Sequence, residues 1–256
     1  GHGGVFLLGE WHAAQSIWYY YPVALSIKAP TALLLGTAIV LLLRPRALAS
    51  WAAAAVALLL LVSLTCRVQI GIRYFLPLLA LASVAVATGL ARAIASLHSI
   101  PWRRTALAAG TAVCAWAAVC AASIWPDGLR YTNALWGGAD RGYTLLCDSN
   151  YDWGQGLNAL AAWQRDQHVA MMDVVYFGTD PAVSRQDLRV RSLGEISFGE
   201  PAGSRYVAVS PTVLYGLPES QYPVARRLRS IAPAARAGPF LIFDLKANEL
   251  HAAKSR

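Results

Sequence analysis

The sequence predicts an all-α membrane region of about four transmembrane helices, followed by a small extracytoplasmic α/β domain. Three observations carry that reading. Of 256 residues, 56% are hydrophobic and only 14% charged, against about 25% charged in an ordinary soluble domain. The charges are also segregated: up to residue 125 there is one acidic side chain, Glu10, against eight basic ones, whereas from 126 onward 13 acidic and 14 basic residues nearly cancel. Finally, the basic residues of the first part fall between apolar runs, where membrane topology places them. A net charge of +8 arranged this way speaks for a membrane-lipid partner and against nucleic acid.

Four apolar stretches approach or reach the roughly 20 residues that cross a bilayer. They cover about 22–43, 49–65, 74–96 and 105–125, making 22–125 the transmembrane region. The first is interrupted by Lys28 and Pro30, which places the lysine at an interface. Short connectors join the runs: RPRAL, CRVQIGIR and LHSIPWRR. Putting the first and last of these in the cytoplasm gives that side Arg44, Arg46, Arg92, Arg103 and Arg104, against Lys28, Arg67 and Arg73 opposite. The positive-inside rule favours that orientation. Residues 1–21 are then an extracytoplasmic loop and 126–256 an extracytoplasmic domain. The opening GHGGVFLLGEWH lacks the basic n-region of a signal peptide, and the sequence reads as starting inside a longer protein.

From 126 the pattern changes to short apolar runs separated by turn residues. Strands are expected near 143–147, 170–177, 205–210 and 240–245, with helices near 153–168 and 218–230. On the first helix Trp153, Leu157 and Leu160 share a face. Strands alternating with helices suggest a layered α/β sheet with partly parallel strands.

The stretch 148–157, DSNYDWGQGL, holds most of the polar chemistry. As a calcium loop it fails, because glycine falls one place late at 154 and Ala159 stands where the bidentate glutamate belongs. As a helix start it fits better: Asp152 is the N-cap and Gln155, three residues on, completes a capping box. Asp148 and Asn150 lie outside that explanation. They follow a predicted strand, whose carboxyl end is the usual ligand edge of an α/β sheet.

In CRVQIGIRYFLP, Arg67 and Arg73 sit at the mouth of two predicted spans. Either they snorkel to the interface, or their guanidinium forks clamp a phosphate that Lys28 also reaches. The four cysteines and five histidines have no metal-site spacing, and no nucleotide-loop, HExxH or G-x-S-x-G motif is present. No metal and no cofactor is expected.

Four segments in order, WYYYPVALSIKAP, GIRYFLP, YTLLCDSNYDWGQGL and VVYFGTDP, resemble the C-terminal part of bacterial GT-C fold membrane glycosyltransferases of the protein O-mannosyltransferase and aminoarabinose-transferase type. The resemblance covers about residues 1–185. It implies an inner-membrane, multi-pass enzyme that takes a sugar from a polyprenyl-phosphate donor to a lipid or protein acceptor, with its catalytic carboxylate upstream of the matched segment. Carried over, it makes Lys28, Arg67, Arg73 and Tyr74 donor-phosphate candidates. It also marks Asp148, Asn150, Asp152, Trp153 and Gln155 as a motif without an assigned role, and Gly156 departs from the family's aspartate. The reading from a different class is a non-catalytic, membrane-anchored binding or scaffolding module. A small transporter is disfavoured, since the apolar runs carry almost no ionisable residue at mid-depth.

Overall fold

The computed structural model describes residues 4–13, 16–185, 187–196, 204–216 and 223–246. Contacts divide the chain into two units, Ala14–Gly142 and Gly1–Ala13 together with Tyr143–Arg256.

The first unit is helical. Its helices are α1 (Tyr20–Lys28), α2 (Thr31–Leu43), α3 (Trp51–Thr65), α4 (Leu76–Ala95) and α5 (Ile100–Ser123). Pro30 supplies no N–H and disfavours helix at Ala29, so the run expected as one span at 22–43 breaks into α1 and α2, bent by 110°. The break leaves carbonyls without helical partners, and the loop after α5 satisfies them. Asn133 Nδ2 donates to Ser26 O (2.6 Å) and Ala29 O (2.9 Å), and the Asn133 N–H donates to Ile27 O (3.0 Å). Helix α3 begins at Ser50, whose hydroxyl accepts from the Ala53 N–H. Proline in the first turn starts both α4 and α5.

Ile72–Ala95, which is α4 with the 3₁₀ turn before it, and Ile100–Ser123 are each 24 residues and apolar enough to cross a membrane. The bent pair α1–α2 makes a third if it is taken as one span. Helix α3 has 15 residues, about 22 Å at 1.5 Å per residue, short of the ~30 Å hydrocarbon core. Four spans therefore reduce to two helices of full length, one broken pair and one short apolar helix. Small residues let α2 and α4 meet closely: a Cβ on Gly36 would lie 2.8 Å from Val86 Cγ1, and one on Gly89 3.3 Å from Val40 Cγ1.

The second unit is α/β. A hairpin of β1 (Gly4–Leu7) and β2 (Glu10–Ala13) occupies part of the stretch read as a loop. It turns at Leu8 and Gly9, both at positive φ, as a two-residue hairpin turn requires. Leu7 bridges to Leu146 and the Leu8 N–H donates to Leu145 O, which ties the hairpin to the α/β unit. After α6 (Leu157–Asp166) come β3 (Met172–Val175), β4 (Leu188–Val190), β5 (Tyr206–Val209), α7 (Pro211–Tyr215), α8 (Pro223–Arg229), β6 (Ala235–Ala237) and β7 (Phe240–Asp244). Residues 218–222 of the helix expected at 218–230 lie outside the described residues.

The sheet order is β4-β3-β5-β7-β6; β4, β3 and β5 are parallel, and β7 runs antiparallel to both neighbours. Alternation along the strands assigns the two faces. Val174, Ala208 and Ile242 pack with Leu157 and Leu160 of α6. Val175, Val207, Val209, Leu241 and Phe243 pack with Leu214 of α7 and with Ala225 and Leu228 of α8. Covering both faces explains why these strands read as continuous apolar runs.

Candidate functional site

The DSNYDWGQ stretch lies across the carboxyl ends of β3 and β5, the edge where α/β sheets usually take ligands. It enters through a 3₁₀ turn, Asp148–Asn150, with Asp148 at φ +60°. The Asp148 Oδ1 accepts from the Ser149 N–H (2.6 Å). Asn150 and Tyr151 are buried, and the Asp152 side chain is wholly so, at 0% exposure.

Asp152 does not cap α6. The helix begins at Leu157 with Gly156 as its N-cap, because Gly154 and Gly156 hold φ of +87° and +100°, a left-handed backbone that interrupts a helix. The Asp152 carboxylate instead accepts from the Ser210 hydroxyl, just after β5, through Oδ2 and from the Gly154 N–H (3.0 Å) through Oδ1. Its own carbonyl accepts from Thr212 Oγ1 (2.8 Å). Gln155 turns back on the loop: its Oε1 accepts from the Trp153 N–H (2.7 Å), and its Nε2 donates to Tyr151 O (3.1 Å).

The other side of the loop meets the end of β3. Tyr176 Oη donates to Gly154 O (2.7 Å). A Cβ on Gly154 would sit 2.6 Å from Phe177 O. Trp153, expected on the buried face of a helix, lies outside α6 and is 46% exposed, with its ring edge-on to Phe177 at 5.4 Å. Gly156 packs on Pro239: an added Cβ would come within 2.3 Å of Pro239 Cδ, so the aspartate of the resembled family has no room here. Burial, with the Asp148 carboxylate beside it, holds the Cys147 thiol well above its ordinary range. The thiol is therefore protonated at neutral pH and is no nucleophile.

No known protein family, curated protein or solved structure matches this chain. Among the described residues, no group of three or more His, Cys, Asp or Glu side chains could hold a metal ion. At the strand ends the motif's polar groups turn inward on the chain itself.

The donor-phosphate candidates lie in the helical unit. Lys28 is 7% exposed, and its ammonium donates to Leu129 O (2.9 Å) and Tyr131 O (2.6 Å). It is committed to the loop that closes the α1–α2 break, not to an interface. Arg67 and Arg73 are exposed on the connector between α3 and α4, and Arg73 lies over the ring of Tyr74, 5.4 Å from its centroid. That connector is held from below. Gln69 Oε1 accepts from the Ile17 N–H (3.0 Å) and its Nε2 donates to Ile17 O (2.6 Å), while Tyr21 donates its hydroxyl proton to Val68 O. Phe75 packs on Tyr21, ring centroids 4.3 Å apart.

Reading the sequence missed Ser210, Thr212, Tyr176, Gln69 and Tyr21. A Ser-Pro step directly after a predicted strand was a usable signal for Ser210, since it marks a strand-to-helix turn whose hydroxyl faces the strand ends. Gln69, an uncharged polar residue between two arginines in a short connector, carried no comparable signal.

Proposed function

We propose that this chain forms the donor-phosphate end of an integral-membrane glycosyltransferase of the GT-C kind, acting on a polyprenyl-phosphate-linked sugar. In this reading α4 and α5 span the bilayer, α1–α2 forms a broken span and α3 a short one. The α/β unit faces the extracytoplasmic side of a bacterial inner membrane. The supporting observation is the connector between α3 and α4: Gln69 and Tyr21 brace its backbone, and it leaves Arg67 and Arg73 exposed beside the first turn of α4. Two permanent cations next to the positive end of a helix suit a phosphate leaving group.

The chemistry follows from that placement. In sugar transfer the bond between the anomeric carbon and the phosphate oxygen breaks, and negative charge grows on the departing lipid phosphate. Guanidinium groups carried near that oxygen by the braced connector stabilise the charge as it develops. The proton of the acceptor hydroxyl goes to a carboxylate, which no residue of this chain is assigned to supply. Lys28, engaged with two carbonyls, is left out of the clamp, and Tyr74 orients Arg73 through its ring.

The test is retention of a radiolabelled polyprenyl-phosphate sugar by the purified protein in detergent. Arg67→Ala with Arg73→Ala should lower retention at least about tenfold, since a hydrogen bond to a charged group contributes ~1.5–3 kcal/mol. Unchanged retention in a folded double variant would return both arginines to interfacial snorkelling and leave the non-catalytic binding module.

A further inference from the structure

At the other end of the same helical unit a cleft of about 580 Å³ opens between the end of α2, the Pro45–Leu48 turn and the end of α4. Leu43, Arg44, Arg46, Arg92 and Ser96 line it. Two helix C-termini with their carbonyls should make such a place unfavourable for an anion. Arg92, in the last turn of α4, brings a cation to that end: its Nη1 donates to Ala47 O (3.2 Å) and Ala49 O (3.1 Å), which fixes the turn. Arg44 and Arg46 are then surplus charge. Both are exposed, and among the described residues neither side chain has a hydrogen-bond or ion-pair partner. No acidic residue occurs anywhere between Glu10 and Asp127 to offset them.

The apolar surroundings narrow the ligand. Leu43 lines the cleft and is 72% exposed, and exposed Leu42, Ile39 and Leu35 share its face of α2. A phosphate held by Arg44 and Arg46 would have hydrocarbon surface running directly away from it. We infer that this cleft binds the phosphodiester headgroup of an anionic phospholipid, with the acyl chains lying along α2. The inference rests on the membrane reading above but not on the glycosyltransferase one, and it concerns the opposite end of α4 from Arg67 and Arg73.

The experiment is native mass spectrometry of the full chain in detergent with phosphatidylglycerol or phosphatidylcholine added, supported by flotation with phosphatidylcholine vesicles. Wild type should retain phosphatidylglycerol in preference to phosphatidylcholine. The double variant R44Q/R46Q should lose that preference by about 25-fold, roughly fivefold for each arginine near an anionic surface. R103Q/R104Q removes the same charge from the first turn of α5, outside the cleft, and should stay close to wild type. All three should float and share one thermal unfolding profile.

Equal losses in the two double variants would show diffuse attraction to basic charge and overturn the site, as would an unaffected R44Q/R46Q. Displacement of phosphatidylglycerol by an equal concentration of inorganic phosphate would mean a free phosphate is the ligand and overturn the lipid assignment. A chain that fails to float with any vesicle would overturn the membrane reading and this inference together. Flotation without phosphatidylglycerol preference would overturn this inference alone.

Discussion

Replacing Asp152 separates a loop that plugs the strand ends from a loop that awaits a ligand there. Asp152→Ala removes the acceptor for the Ser210 hydroxyl and for the Gly154 N–H. Hydrogen bonds to a charged group contribute ~1.5–3 kcal/mol each, and a buried hydroxyl left without a partner adds a penalty of ~1–3 kcal/mol. Ser210 is fully buried, so it cannot turn to water. Because neighbouring terms overlap, the expected loss is about 4 kcal/mol, a large part of the ~5–15 kcal/mol that holds a typical domain.

Asp152→Asn should cost only about 1–2 kcal/mol, because its amide oxygen still accepts from Gly154 while Ser210 rotates to accept from the new amide. The assay is hydrogen exchange at the amides of 172–177 and 206–210, with thermal unfolding followed by tryptophan fluorescence alongside. Protection should fall at both strand ends together in Asp152→Ala, since the loop bonds to each. A change below ~0.5 kcal/mol, the range of ordinary surface substitutions, would refute the plug and reopen the strand ends as a ligand site.

The remaining predictions probe single contacts. Gly154→Ala places a Cβ 2.6 Å from Phe177 O at φ +87° and should destabilise the α/β unit by more than ~2 kcal/mol in chemical denaturation. Gly156→Asp, which restores the residue of the resembled family, should likewise lower the melting temperature because of Pro239. Lys28→Met strands the carbonyls of Leu129 and Tyr131 and should lower thermal stability by about 2–4 kcal/mol. Glu195 accepts from the Ser192 N–H (2.7 Å), which holds its carboxyl below the ordinary glutamate range. That local stabilisation is present above the unfolded-state pKa of about 4.3 and is lost as pH falls through the lower folded value, so Ser192 amide exchange, corrected for its intrinsic rate, should rise only in acid. Glu195→Gln should remove the pH dependence.

What the sequence disclosed follows the range of the forces involved. Strands β3, β5 and β7 fall inside the runs expected at 170–177, 205–210 and 240–245, because a sheet covered on both faces writes itself as unbroken apolar stretches. The edge strands β4 and β6, three residues each, have too little pattern to stand out. The β1–β2 hairpin turns at Leu-Gly and not at the Asn-Gly or Asp-Gly that advertise such turns. The break at Pro30 was visible as an interruption, but its 110° bend is supported by Asn133, about a hundred residues away, which donates to the freed carbonyls. Asp152 shows the limit most sharply. Three residues before Gln155, it satisfied every local rule for a capping box, yet its partner is Ser210, and only the two positive-φ glycines beside it hinted that no helix starts there.

The same contrast bears on where function is to be sought. Asp148, Asn150, Asp152 and Gln155 look chemical in the sequence, yet Asp148, Asp152 and Gln155 bond to the protein itself, and Asn150 is buried. A crevice at the carboxyl ends of β3 and β5 would be the default ligand edge, but it is occupied by Asp152 on the β5 side and by Gly154 under Tyr176 on the β3 side. The arginines of the helical unit present the opposite case. Arg44, Arg46 and Arg67 lack side-chain partners among the described residues, and the sequence holds no carboxylate between Glu10 and Asp127 to answer them. Lys28, which the sequence grouped with them, belongs on the structural side of that division, because its ammonium is already spent on two carbonyls. A charge that has no partner in its own chain, beside apolar surface that has none either, is the more informative pointer to a ligand.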